Sequence, residues 1–134
     1  MTPCVLGTDV VIAALDRSDA HHVQAAAILR DLFETRVERL LSTINYAEAL
    51  VRPATDAQQL RKAVDAIEAM GIDLVAPTPA MARDAARPRA SNISLADGFA
   101  LATARAAGAT VASFDRRVQR AVGSAGLELT PALR

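Results

Sequence analysis

Short apolar runs alternate with helical stretches along the whole chain, and this alternation limits the fold more than any other feature. Residues 5–6, 40–41, 72–76, 110–113 and 127–129 read as buried strands. Helical stretches fall at 10–15, 21–35, 43–52, 55–70, 80–86, 94–107 and 116–122. Pro53 ends one helix, and Gly71 and Gly108 each sit where a helix closes. Strands that alternate with helices form a parallel sheet with helices on both faces. The expectation is a single three-layer α/β domain with a central, mostly parallel sheet. Functional sites in such sheets lie beyond the carboxyl ends of the strands.

Length and composition agree. A chain of 134 residues with 51% hydrophobic content suits one domain with a real core. No run of about 18 uncharged apolar residues is present, so no membrane span is expected. The first residues lack a basic stretch, and Asp9 interrupts the apolar run, which speaks against a signal peptide. Cys4 is the only cysteine, which excludes an internal disulfide, fits a reducing cytoplasm and reads as a buried thiol. Formal net charge is +0, so bulk charge does not mark the chain as a nucleic-acid binder.

Four carboxylates recur at comparable places. Asp9 and Asp115 follow apolar strands, Asp97 opens a long helix, and Glu48 interrupts a helix. Ile44, Ala47, Glu48 and Val51 share one helical face by spacing, which places Glu48 among inward positions. Leu95, Phe99, Ala102 and Ala106 form the expected core face of the helix that carries Asp97. Val23, Ala26, Ala27, Leu29 and Phe33 do the same in the helix at 21–35. Each acid alone also has a structural reading. Asp9 and Asp115 suit helix N-caps, Asp97 suits the box opened by Ser94, and Glu48 suits an ion pair with Arg52. Together, at one end of one sheet, they read as an acidic site for hard divalent cations, which take oxygen ligands. Mg²⁺ or Mn²⁺ held there would acidify water and neutralise a phosphodiester transition state.

Basic residues flank this set. Lys62 is the only lysine, so arginine supplies almost all positive charge, with a planar fork suited to phosphate. Arg83, Arg87 and Arg89 precede Asp97, and Arg116, Arg117 and Arg120 follow Asp115. Arg87, Arg89, Arg116 and Arg117 are the candidate phosphate contacts. His21 and His22 are adjacent, a poor spacing for joint ligation on a helix, and read as exposed or capping. Tyr46 and Phe99 read as core.

Three segments resemble the PIN domain, and most closely the VapC toxins of bacterial toxin–antitoxin pairs. They are Ser42-Thr43-Ile44-Asn45-Tyr46-Ala47-Glu48, Leu95-Ala96-Asp97-Gly98-Phe99-Ala100-Leu101, and Val111-Ala112-Ser113-Phe114-Asp115-Arg116-Arg117. The resemblance covers nearly the whole chain. It implies a PIN-like three-layer fold and a cytoplasmic, Mg²⁺-dependent endoribonuclease. It further implies Asp9, Glu48, Asp97 and Asp115 as the metal-binding and catalytic acids, a small cognate antitoxin, and a homodimer.

One position departs from the family pattern. The first acid of that pattern falls on Gly7, and Asp9 stands two residues later. Either Asp9 reaches the metal from there, or the site lacks a ligand and the chain is an impaired scaffold that still binds antitoxin or RNA. A phosphoryl-receiving signalling domain, another small α/β fold with acidic residues, would need a lysine beyond a late strand. A dehalogenase-like phosphatase would need two acids after the first strand. Neither is present.

Overall fold

The computed structural model describes residues 1–134, the side chain of Ala90 excepted. Strand β1 is Cys4–Leu6, β2 Arg39–Ser42, β3 Ile72–Val75 and β4 Thr110–Ala112. Helices α1 (Thr8–Leu15) and α2 (His22–Glu34) join β1 to β2. Helices α3 (Thr43–Leu50) and α4 (Ala57–Ala69) join β2 to β3. Helices α5 (Pro79–Ala86) and α6 (Leu95–Ala107) join β3 to β4, and α7 (Arg116–Ser124) follows.

All pairings are parallel, in the order β3-β2-β1-β4. The chain builds outward from β1 to β3 and then returns to lay β4 on the other side of β1. The strand order therefore reverses between β1 and β4, where parallel sheets open a crevice beyond their carboxyl ends. The expected strand at 127–129 is reduced to a single bridge between Val111 and Leu129. Only Glu128 and Thr130 bond the Val111 backbone there.

Successive strand residues point to opposite faces, and both faces are covered. Cys4, Leu6, Leu41 and Ala112 pack with α1 and α2 residues such as Val10, Val11, Ile28 and Leu29. Val5, Leu40 and Val111 pack with Ala100, Leu101, Val118 and Val122 of α6 and α7. A third cluster of Met81, Ala85 and Ala102 joins α5 to α6. The expected three layers, with helices on both faces of a central parallel sheet, are observed.

Several expected helix faces are rotated from those observed. In α2 the buried residues are Ala25, Ile28, Leu29 and Leu32, whereas Val23 and Phe33 are exposed. In α3 they are Asn45 and Ala49, and Ile44, Ala47, Glu48 and Val51 face outward. In α6 they are Gly98 and residues 100–104, while Leu95 and Ala106 are exposed. The reason is common to all three helices. Alanine-rich sequences carry little contrast between faces, so the tertiary fit decides which side is buried.

Candidate functional site: acids at the strand-order reversal

Strands β1 and β4 deliver the first pair of acids. The Gly7 N–H donates to the Ala112 carbonyl at 2.8 Å, which locks the two strand ends together. Asp9 lies in the first turn of α1, half-buried, and its carboxylate reaches across to β4. Its Oδ2 accepts from the Phe114 N–H at 2.7 Å and from the Ser113 hydroxyl at 3.2 Å. Gly7 occupies the N-cap position of α1 and neither Thr8 nor Asp9 caps it, contrary to the capping reading of Asp9. Burial raises the Asp9 carboxyl above the ordinary aspartate value, opposed by these donors.

Asp115 follows three residues after β4 and caps α7. Its Oδ1 accepts from the Arg117 N–H at 2.8 Å, and its Oδ2 lies 3.5 Å from the Arg117 guanidinium. Burial works against its charge, but the Arg117 backbone and side chain outweigh that and hold the carboxyl below its usual value. The structural role weighed for Asp115 is therefore present.

Asp97 lies in the first turn of α6. The Ser94 hydroxyl caps this helix, accepting from the Asp97 N–H at 3.1 Å. A carboxylate in a first turn is favoured by the helix dipole. Burial nevertheless raises Asp97 above its ordinary value, and Glu48, Asp9 and Asp115 repel its charge further. These repulsions place Asp97 within the field of the other three acids. Gly98, the next residue, brings α6 hard against α5, because a Cβ there would run into the Ala85 carbonyl.

Glu48 is exposed on the outer face of α3 and lines a groove with Ile12, Leu15, Val51 and Arg52. The inward placement expected for it is corrected accordingly. The polar residue buried on α3 is Asn45, which the helical spacing did not single out. Its Nδ2 donates to Thr8 Oγ1 at 3.0 Å and to the Ala96 carbonyl at 3.0 Å. One amide thus ties the neighbours of Asp9 and Asp97 to the helix that bears Glu48. Its Oδ1 is buried without a partner.

His21 stacks on Phe114 with ring centroids 4.5 Å apart and an interplanar angle of 9°. This sets an imidazole over the residue whose N–H holds Asp9. His22 anchors the loop before α2 through Nδ1, 2.7 Å from the Ala13 carbonyl oxygen. Tyr46 and Phe99 pack partly buried against the core, as expected.

The donor set is chemically suited to a hard divalent cation, with four carboxylates and no thiol. In this arrangement no group of three His, Cys, Asp or Glu side chains among the described residues closes around one point. The acids sense one another without forming a cage. Ligation would need side-chain rotation, most freely available to the exposed Glu48.

Of the arginines, Arg87 and Arg117 line one cleft of about 660 Å³ between α6, α7 and residues 87–91. Arg105 and Arg120 line it too, above an apolar floor that includes Ile93, Leu101 and Ala121. Arg89 and Arg116 do not line that cleft. Arg105 is held by Asp84 at 3.0 Å.

The family model described as the PIN domain matches residues 4–123. The chain belongs to the PIN-domain family. A search of curated protein sequences returns no match. Among solved structures, the PIN chain is similar to VapC20 of Mycobacterium tuberculosis, described as a toxin that cleaves the sarcin-ricin loop. The TM-score is 0.70 at 16% identity, covering 88% of this chain and 94% of that one. VapBC2 of Rickettsia felis, bound to a DNA fragment from its promoter, gives 0.69 at 14% identity, covering 96% and 98%. FitAcB of Neisseria gonorrhoeae gives 0.68 at 20% identity, covering 98% and 99%. At these identities the likeness establishes the fold. The expected PIN-like architecture is thereby confirmed.

Proposed function

We propose that this PIN-domain protein is the toxin of a type II toxin–antitoxin pair, a metal-dependent endoribonuclease that cleaves RNA phosphodiester bonds. The observation that supports the reading is the Asp9 carboxylate bound to the residues just after β4, together with the repulsion of the Asp97 charge by Glu48, Asp9 and Asp115. The relatives by fold support the toxin assignment. VapC20 is described as a toxin that cleaves the sarcin-ricin loop.

Asp9, Glu48, Asp97 and Asp115 would hold Mg²⁺ or Mn²⁺. A bound ion of this type supplies an electrophile that acidifies water and offsets charge on the phosphodiester. The chain's own residues do the positioning. Phe114 and Ser113 fix the Asp9 carboxylate, Asn45 holds α1, α3 and α6 in register, and Ser94 orients the first turn of α6. A bound cation would favour the charged forms of Asp9 and Asp97 that burial disfavours, so binding would weaken as pH falls. Arg87 and Arg117, joined by Arg105 and Arg120 in the cleft, bind the RNA backbone. Arg89 and Arg116 make outer contacts to the same strand. A small cognate antitoxin neutralises the toxin, which acts in the cytoplasm as a homodimer. No helix among the described residues is long and apolar enough to cross a membrane.

Incubation of purified chain with structured RNA and Mg²⁺ tests this. Cleavage should stop on chelation and in Asp97→Ala. Cleavage that persists in either condition contradicts the reading.

A further inference from the structure

Gly7, between β1 and α1, has φ −72° and ψ 157°, extended backbone that any residue adopts. Conformational freedom therefore does not explain a glycine here. Space does. A Cβ at Gly7 would stand 2.7 Å from Asp9 Oδ1, 3.1 Å from the Ala112 carbonyl oxygen and 3.5 Å from Ser113 Cβ. The first distance lies well inside van der Waals contact. The other oxygen of the same carboxylate is the one held by Phe114 and Ser113. The Asp9 side chain thus lies across the bare Cα of Gly7 with its far side tied to Ser113 and Phe114, just beyond β4.

We propose that Gly7 is a positioning residue whose missing side chain forms the seat for the Asp9 carboxylate. Asp9 then delivers to the site the acid that a side chain at position 7 would otherwise supply. Positions 7 and 9 are mutually exclusive as acid donors. A side chain at 7 pushes Asp9 off the Phe114 N–H. The obstacle is the tip of a flexible side chain, so the fold yields by letting Asp9 swing away. An acid at 7 combined with a small residue at 9 rebuilds the site from the other position. The Asp9 seat itself is metal-free geometry, while its use rests on the metal-binding reading above.

Two measurements on the full chain test the seat. One is Mn²⁺ affinity, from the electron paramagnetic resonance of free Mn²⁺, and the other is the Phe114 amide proton in ¹⁵N-resolved NMR. Gly7→Ala is expected to weaken Mn²⁺ binding by about 10–100-fold, as removal of a ligand-orienting interaction does. It should also move the Phe114 amide upfield as its carboxylate acceptor leaves. Gly7→Asp combined with Asp9→Ser should recover most of that affinity. A Gly7→Ala variant with unchanged Phe114 amide and unchanged affinity overturns the proposal. A parent chain that binds no Mn²⁺, with a displaced Phe114 amide in Gly7→Ala, keeps the seat and refutes the metal reading. Should Gly7→Ala not fold, adding Asp9→Ser removes the colliding carboxylate and should restore folding. A double variant that stays unfolded puts the constraint at Ala112 and overturns the proposal.

Discussion

Asn45 donates to the hydroxyl of Thr8 across 3.0 Å from the centre of the molecule, 37 residues away in sequence. The same Nδ2 reaches the Ala96 carbonyl. Thr8 and Ala96 each precede an acid of the site, so one buried amide sets the spacing of Asp9 and Asp97. Asn45→Ala leaves a buried hydroxyl and carbonyl to find new partners. It is expected to cost about 1–3 kcal/mol in urea denaturation. RNA cleavage measured well below the unfolding midpoint should fall as well. Unchanged cleavage in a destabilised variant would make Asn45 purely structural.

Burial and the neighbouring acids disfavour the charged form of Asp97, which a cation would offset in the proposed metal-binding role. Its folded pKa is raised, so the native state holds the proton more tightly than the unfolded chain. Stability from this group is therefore greatest at low pH and falls as pH rises through the carboxylate range. Asp97→Asn removes the charge and should raise the melting temperature at pH 7. The gain should vanish below about pH 4, where the parent side chain is protonated in both states. Cleavage should be abolished at every pH. A lower melting temperature at pH 7 would mean that Asp97 is a structural cap and not a strained ligand.

Gly98 is needed for close approach. A Cβ there meets the Ala85 carbonyl, a backbone atom that cannot rotate away. Gly98→Ala should cost about 1–3 kcal/mol, the range for overpacking a tight interface. It should displace the first turn of α6, so metal affinity should fall with stability. Parental stability in this variant would show that α5 and α6 can separate freely.

The cleft arginines give an electrostatic prediction. Arg87 and Arg120 line it together, and each arginine withdrawn from a phosphate should reduce the salt slope by about 1. The pair Arg87→Ala and Arg120→Ala should therefore weaken RNA binding across sequences and flatten its dependence on salt. Removing Arg89 and Arg116, outside the cleft, should flatten it less. Equal slopes in the two double variants would remove the cleft from the RNA path.

The sheet and its layers were legible because they rest on local signals: apolar runs and glycine and proline punctuation. The helix faces were not legible, since α2, α3 and α6 are rich in alanine and small residues. The spacing of Ile44, Ala47, Glu48 and Val51 suggests an inward Glu48, whereas α3 buries Asn45 and Ala49. Asn45 itself gave no local sign, because both its partners are distant in sequence. Arg105 joined the cleft only through its packing beside α5, where Asp84 holds it. Gly7 was visible as a departure from the family pattern. Its physical meaning depended on where the Asp9 carboxylate turns, which no spacing rule fixes.

Position 7 offers the most direct test of whether this chain is an active nuclease with its acid on Asp9 or an impaired scaffold lacking one. RNA cleavage with Mg²⁺ should be compared between the parent chain and Gly7→Asp under identical conditions. Metal-dependent cleavage by the parent, reduced in Gly7→Asp because two carboxylates compete for one seat, is the predicted result. An inert parent chain that gains Mg²⁺-dependent cleavage in Gly7→Asp would contradict it.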